Sequence, residues 1–483
     1  VKTRRINSIL LWAFPLVFFL LSSHLPFWGD GIASISKAAV RIYQEGLNRP
    51  WNYPSADPGH PTLFPWLIAL FWKIFGFSLW VPHLMVAVQL YFLARIIYLI
   101  SEPLKESEKS RLLLLIFISP LTVSQGTGIS LQMPLTLCFF SAYYFLLRGQ
   151  RSLFLLFLCF MMLIHLQAAL LYVALVLFDF GKNFKEDKNY WKKLLALSIP
   201  GCALLAWGWF HYLEFGWAFF TPNYERSPPG MKEILYNLGI SAWRLTDLGY
   251  FMLTLPAGWF LLQKIRTKTL NDLEKAGLLI LLTLCIGIPV IFAYPPNHRY
   301  IFPVYLIAAV IFMYWLQQQE KNRQAIWFSA ALIFLISGNF WFYPGKCQGD
   351  QNLVHLEYRK LEKQLLRDVP GATIYSYAPL NNASLYTHLK ATRDIHYSDL
   401  YSCDPDTLTF IAESNVNCEF TADQKQLLAE HFWVHSYEGQ AIFINLYLNK
   451  KASAQYPHLA FNKARKKGFW EKKTEELKKR LGK

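Results

Sequence analysis

Apolar runs recur along this chain at the length needed to cross a lipid bilayer. Ile9 to Phe27, Trp80 to Ile100 and Ala325 to Trp341 each approach the ~20 residues that a helix needs to span the hydrocarbon core, and similar runs occupy about two thirds of the sequence. No water is available inside a bilayer to pair backbone N–H and C=O groups, so such runs become helices. The composition agrees, with 54% hydrophobic, 17% aromatic and 17% charged residues, against ~25% charged in soluble domains. The chain reads as a polytopic α-helical membrane protein, and an ordinary soluble enzyme is excluded. The first run carries no small-residue cleavage site and is expected to be a retained first helix.

A net charge of +16 would suggest a nucleic-acid partner in a soluble protein. Here the basic residues sit in short segments between spans: Lys2, Arg4 and Arg5; Lys105, Lys109 and Arg111; Arg148 and Arg151; Lys182 to Lys193; Lys264 to Lys275; Lys321 and Arg323. Under the positive-inside rule they form one cytoplasmic face. The expectation is therefore a multi-pass protein of the inner (cytoplasmic) membrane, in contact with membrane lipids, with a cytoplasmic N-terminus and no nucleic acid.

Parity then orders the chain. Residues 28 to about 60 fall outside. Residues 61–77 are apolar but short, and a crossing there would put the basic 101–111 loop on the wrong side, so an interfacial or re-entrant helix is expected. Residues 112–147 read as two helices joined near Pro120 to Gly128. The block 153–180 reads as a hairpin with His165 and Gln167 near its tip, both expected to hydrogen-bond neighbouring helices. Residues 214–247 read as a second outer loop, and the later runs bring the total to about eleven transmembrane helices. The division expected is a transmembrane part at 1–343, a soluble extracytoplasmic α/β domain at 344–449, and a basic tail at 450–483 with twelve Lys and Arg against three Glu. Within the α/β domain, Phe432 to Ser436 and Ala441 to Tyr447 read as a hairpin.

Cys138, Cys159, Cys202 and Cys285 lie within apolar runs and read as packing residues, whereas Cys403 and Cys418 can pair if their region faces an oxidising compartment. No CxxC or HExxH spacing occurs, so no dedicated metal site is read. The cofactor is unknown, with a divalent cation left open.

The predicted outer face gathers charged groups of both signs: Asp30, Lys37, Arg41, Asp57, His60, Glu214, Glu225, Arg226, His298 and Arg299. Chemistry on a lipid-linked phosphate needs cations to hold the phosphate and a carboxylate to take a proton from the acceptor. Arginine suits the first task because its donor fork matches phosphate oxygens. Each residue has a plainer reading as well. Asp30 can cap the helix that follows it, His60 before Pro61 can be a turn residue, Arg299 beside Tyr300 can be an interfacial anchor, and Lys37, Arg41 and Glu214 can be solvated.

Asp30 after the first span, then Gly59-His60-Pro61-Thr62-Leu63 running to Phe75-Gly76, resembles the first outer loop of the polyprenyl-phosphate-sugar glycosyltransferases. That family has the GT-C fold and includes protein O-mannosyltransferases and the lipid A aminoarabinose transferase. Ser119-Pro120-Leu121, Leu131-Gln132-Met133-Pro134-Leu135 and Arg299-Tyr300-Ile301-Phe302-Pro303 resemble its later motifs. The resemblance implies a GT-C glycosyltransferase with its catalytic outer loop at 28–77. Such an enzyme moves a sugar from an undecaprenyl-phosphate-type donor to a cell-envelope lipid, glycan or protein.

By the same resemblance Asp30 is the general base; where the chain departs from the family pattern, Asp30 acts alone, Asp57 compensates as a second acid, or the acceptor is changed or the activity lost, the first being preferred. The resemblance puts His60 and Arg299 at the donor phosphate; on the predicted outer face His298 is a further candidate phosphate contact, and Lys37, Gln132, Glu225 and Arg226 are candidates for the donor or acceptor loops. Two positions depart from the pattern: Gly31 where the family often has Glu, and Gln132 where it often has Asp. A transporter or flippase for lipid-linked anions, or a non-catalytic membrane scaffold, are the competing expectations.

Overall fold

A computed structural model describes residues 2–25, 27, 31, 35–48, 59–184, 190–219, 230–292, 296–341, 351–370, 373–375, 396–398, 410–414, 425–426, 428, 431–439 and 442–459. The chain divides into two compact units, one formed by Val1–Phe27 with Ala33–Asn339 and the other by Trp28–Ile32 with Phe340–Lys483.

Among the described residues the larger unit is helical. It begins with α1 (Lys2–Ser22), α2 (Lys37–Glu45), α3 (Leu63–Phe75), α4 (Trp80–Ile100), α5 (Glu106–Ile118), α6 (Pro120–Thr127) and α7 (Gln132–Leu147). It continues with α8 (Arg151–Met162), α9 (Ala168–Asn183), α10 (Tyr190–Phe215), α11 (Met231–Thr246), α12 (Phe251–Arg266), α13 (Asp272–Cys285) and α14 (Gly287–Phe292). A 3-10 turn at His298–Ile301 leads into α15 (Phe302–Leu316), and α16 (Lys321–Gly338) closes the unit.

Hydropathy and burial separate the roles of these helices. α15 is the central one: it is apolar all round and nearly every side chain on it is buried, as expected for a helix surrounded by others. α10 instead exposes Leu195, Leu205 and Trp209, the signature of a helix facing lipid. Among the described residues five helices are long and apolar enough to cross a membrane. Two bent pairs, α6 with α7 at 114° and α11 with α12 at 108°, raise this to seven if each pair is one span. The protein is thus a multi-pass membrane protein, but this count by length and composition stops short of the eleven crossings expected from the sequence.

Several segments carry the difference. α3, at 13 residues, is too short to cross unaided. α8 and α9 form the hairpin expected at 153–180, with His165 and Gln167 in the turn between them. Its open end is fastened by a two-pronged pair in which Arg151 donates to both carboxylate oxygens of Asp179 at 2.9 and 2.8 Å, with Asp179 fully buried. Residues 231–246, part of the segment expected from the sequence as a second outer loop, form the helix α11. It buries Asn237 and Ser241 while exposing Leu235, Tyr236 and Trp243, the reverse of a water-soluble amphipathic helix.

In the smaller unit α17 (Val354–Asp368) accompanies a five-stranded sheet of β1 (Thr373–Tyr375), β2 (His396–Ser398), β3 (Phe410–Ser414), β4 (Phe432–Glu438) and β5 (Phe443–Asn449), ordered β2-β1-β3-β5-β4. β1 runs parallel to β2 and β3, whereas β5 runs antiparallel to β3 and β4. The β4–β5 hairpin pairs Phe432 with Asn449 through Glu438 with Phe443. Cys403 and Cys418, with Cys347, lie outside the described residues.

Candidate active site

The site is built from three strips of backbone that the helices of the larger unit bring together. The first is the turn before α3. Gly59 adopts φ +66°, a conformation that a side chain would strain, and so delivers His60 and Pro61 into the helix start. The turn is tied to the α8–α9 hairpin by the Leu63 N–H, which donates to the Leu163 carbonyl at 3.2 Å.

The hairpin tip is the second strip. His165 is buried and stacks on His60 with ring centroids 4.1 Å apart and planes 27° apart. The Gln167 N–H donates to His165 Nδ1 at 2.9 Å, which makes that nitrogen an acceptor and fixes the ring's orientation.

The third strip is the 3-10 turn before α15. Gln167 Nε2 donates to the Tyr300 carbonyl at 2.6 Å, and the Tyr300 ring centroid lies 6.2 Å from that of His165. Arg299 is buried, with its guanidinium carbon 5.0 Å from the Tyr300 ring centroid and Nη2 donating to the Tyr300 hydroxyl at 3.2 Å. Gln132, at the start of α7, donates through Nε2 to Gln167 Oε1 at 3.2 Å, while its own Oε1 is buried with no partner among the described residues. A continuous polar line therefore runs from α7 through the hairpin tip to the Arg299 turn.

His60, Gln132 and Arg299 are thus linked by His165, Gln167 and Tyr300. His298 instead faces Asp247, to which its Nε2 donates at 2.8 Å. Lys37 and Arg41 are on α2, where Arg41 pairs with Glu45 at 3.4 Å. Asp30, Asp57, Glu225 and Arg226 lie outside the described residues. Asp247 escaped the sequence reading because it sits fifty-one residues from His298, with no spacing to signal the pair. Among the described residues no group of three His, Cys, Asp or Glu could hold a metal ion.

Beside His60 lies an apolar cavity of about 490 Å³, lined by Pro61, Thr62, Leu63, Trp66 and Leu47, by Leu163 of the hairpin tip, and by Ala203, Ala206, Trp207 and Phe210 of α10. Its volume falls within the ~300–1,000 Å³ of ligand pockets, and its walls suit hydrocarbon. Trp66 is held in the wall by donating to the Leu47 carbonyl at 3.0 Å. Pro61, Leu63 and Leu163 put the cavity beside the His60 turn and the hairpin tip, and its apolar walls suit the hydrocarbon tail of an amphiphile.

Comparison with known proteins gives the fold. Residues 59–207, from the His60 turn through the hairpin to the α10 wall, match the family model of dolichyl-phosphate-mannose-protein mannosyltransferases. The chain is similar over 91% of its length, and over 97% of the other chain, to the crystal structure of ArnT from Cupriavidus metallidurans bound to undecaprenyl phosphate, with a TM-score of 0.56 at 12% identity. The apo structure of the same ArnT gives a TM-score of 0.54, again at 12% identity. The fold is that of a GT-C glycosyltransferase. No curated protein matches the chain in sequence. The GT-C match takes in both units, while the family match ends before Arg299, which therefore rests on the geometry above.

Proposed function

We propose that this protein is an integral-membrane glycosyltransferase that moves a sugar from a polyprenyl-phosphate donor of the undecaprenyl-phosphate type to a lipid, glycan or protein of the cell envelope. The observation that carries the reading is the line of contacts from the stacked His60–His165 pair through Gln167 to the turn that holds the buried Arg299, with an apolar cavity walled by Pro61 and Leu163 at its His60 end. The undecaprenyl phosphate bound by the structurally similar ArnT supports the choice of donor. In this reading the prenyl chain occupies the cavity, and Arg299 and His60 hold the phosphate. Phosphate is the leaving group, so cations that stabilise its developing charge serve in place of a strong acid. Asp30 takes the proton from the acceptor as general base, with Asp57 as a second acid and Glu225, Arg226 and Lys37 in the substrate loops. Gln132 accepts a hydrogen bond from substrate without acting as a base.

The orientation follows from the basic loops, with the N-terminus in the cytoplasm and residues 28–77 and 344–449 outside. The basic tail at 450–483 is available to anionic lipid head groups. Transfer measured in membranes supplied with donor and acceptor tests the reading: Asp30→Asn and Arg299→Ala each abolish it. Full activity in both variants refutes it.

A further inference from the structure

Arg299 can hold a phosphate only if the chain around it is fixed, and the fixing comes from an element that sequence reading takes for a loop. We infer that the C-terminal turn of α11, through Arg244 and Asp247, positions Arg299 for the donor phosphate; this rests on the reading of Arg299 as the phosphate ligand. Arg244 and Asp247 are three residues apart at the helix end, a spacing that puts both side chains on one face.

Together they grip the three residues immediately before Arg299. Arg244 Nη1 donates to the Pro296 carbonyl and, at 3.1 Å, to Asn297 Oδ1. Asp247 Oδ2 accepts from His298 Nε2 at 2.8 Å, with both side chains at least nine-tenths buried. On the other side of Arg299 the Tyr300 carbonyl is held by Gln167. The arginine thus sits between two anchored stretches of backbone, so little ordering is left to occur when an anion binds.

The clamp is itself braced. Asp247 Oδ1 accepts from the Leu248 N–H at 2.7 Å, and Leu248 adopts φ +52°, a conformation rare for a bulky residue. The Leu248–Gly249 turn fits against α16 so closely that a Cβ on Gly249 would lie 2.2 Å from the Phe334 carbonyl oxygen. The Tyr305 hydroxyl donates to the Arg244 carbonyl at 2.5 Å, and Tyr305 stacks on Tyr250 at 3.8 Å. The strained turn and the contacts on both α15 and α16 leave Asp247 and Arg244 with one arrangement.

A purely structural ion pair would give the same contacts, so the test must read binding as well as stability. Full-length protein in nanodiscs is titrated with undecaprenyl phosphate, and unfolding of the same samples is followed by tryptophan fluorescence. Asp247→Asn and Arg244→Gln are expected to weaken binding about tenfold or more, as the loss of a hydrogen bond to a charged group would. Arg244→Lys should recover part of the loss. His298→Gln, which keeps a donor, should bind better than His298→Ala. Asn7→Ala breaks the contacts of Asn7 with Glu106 at the start of α5, away from the site, and should lower stability with binding unchanged. Wild-type affinity in Arg299→Ala refutes the phosphate reading itself. Weakened binding in Arg299→Ala together with wild-type affinity in folded Arg244→Gln and His298→Ala overturns the clamp alone.

Discussion

Gly338 offers a steric test of how the helices around the candidate site are packed. A Cβ added there would lie 1.9 Å from the Leu248 carbonyl oxygen, 2.6 Å from its carbonyl carbon and 3.0 Å from Pro120 Cγ, whereas ordinary contact begins at 3.4 Å. Gly338→Ala therefore forces the end of α16 and the Leu248 turn apart by roughly 1.5 Å, and the atoms in the way are backbone on one side and a proline ring on the other. Overpacking of this kind costs about 1–3 kcal/mol. The gain in helix propensity on replacing glycine is at most about 1 kcal/mol and is smaller at a helix end. A net loss of about 2 kcal/mol is expected. The matched control is Gly258→Ala in α12, where an added Cβ meets nothing within 4 Å; it should be neutral or stabilising by up to about 1 kcal/mol. Denaturant unfolding in detergent, followed by tryptophan fluorescence, compares the two. Because Asp247 adjoins the displaced turn, Gly338→Ala should also weaken binding of undecaprenyl phosphate. Stability of Gly338→Ala equal to that of Gly258→Ala would refute the packing argument.

Arg151→Ala removes the cationic partner of the fully buried Asp179 carboxylate, leaving it the hydrogen bond from Asn183, and should destabilise by about 3 kcal/mol; Asp179→Ala should cost less, because Arg151 is partly exposed and can reach solvent. Gln167→Ala removes the donor to the Tyr300 carbonyl and the acceptor for Gln132 and should lower transfer at least tenfold, about the effect of leaving one buried polar group unsatisfied, with the loss read in transfer assays. His355 on α17 is buried, and burial pushes its imidazole down from 6.5 to about 4. The unfolded chain takes up this proton as pH falls from 6.5 and the folded chain does not, so stability declines across that window, by about 3 kcal/mol at pH 4. Hydrogen exchange of the α17 amides at pH 7 and pH 4.5 measures the effect, and His355→Leu should flatten it.

The sequence disclosed the parts of the fold that carry their own periodicity. Long apolar runs marked α1, α4 and α16. The α8–α9 hairpin was legible from loop charge combined with length. α11 was not, because in a membrane protein its buried side is polar, Asn237 and Ser241, while its apolar residues face outward, and the prolines around it suggest a loop. β2 is three residues long and too short for any pattern.

Within the site, His60 and Arg299 were found through the chemistry that each residue type can perform, and Gln132 through its motif. Their connection through His165, Gln167 and Tyr300 joins residues more than a hundred positions apart, as in the pair of Gln167 with Tyr300, and depends on packing that spacing does not encode. The Asp247–His298 pair and the close approach of Gly338 to Leu248 were hidden for the same reason.

The proposed function is tested most directly by the fate of the lipid carrier. Purified protein reconstituted with lipids from a strain lacking it, together with the envelope acceptor, should release free polyprenyl phosphate as sugar appears on the acceptor, and the Arg299→Ala protein should release none. Movement of the lipid-linked sugar across the bilayer without release of polyprenyl phosphate would contradict the reading and mark the protein as a transporter.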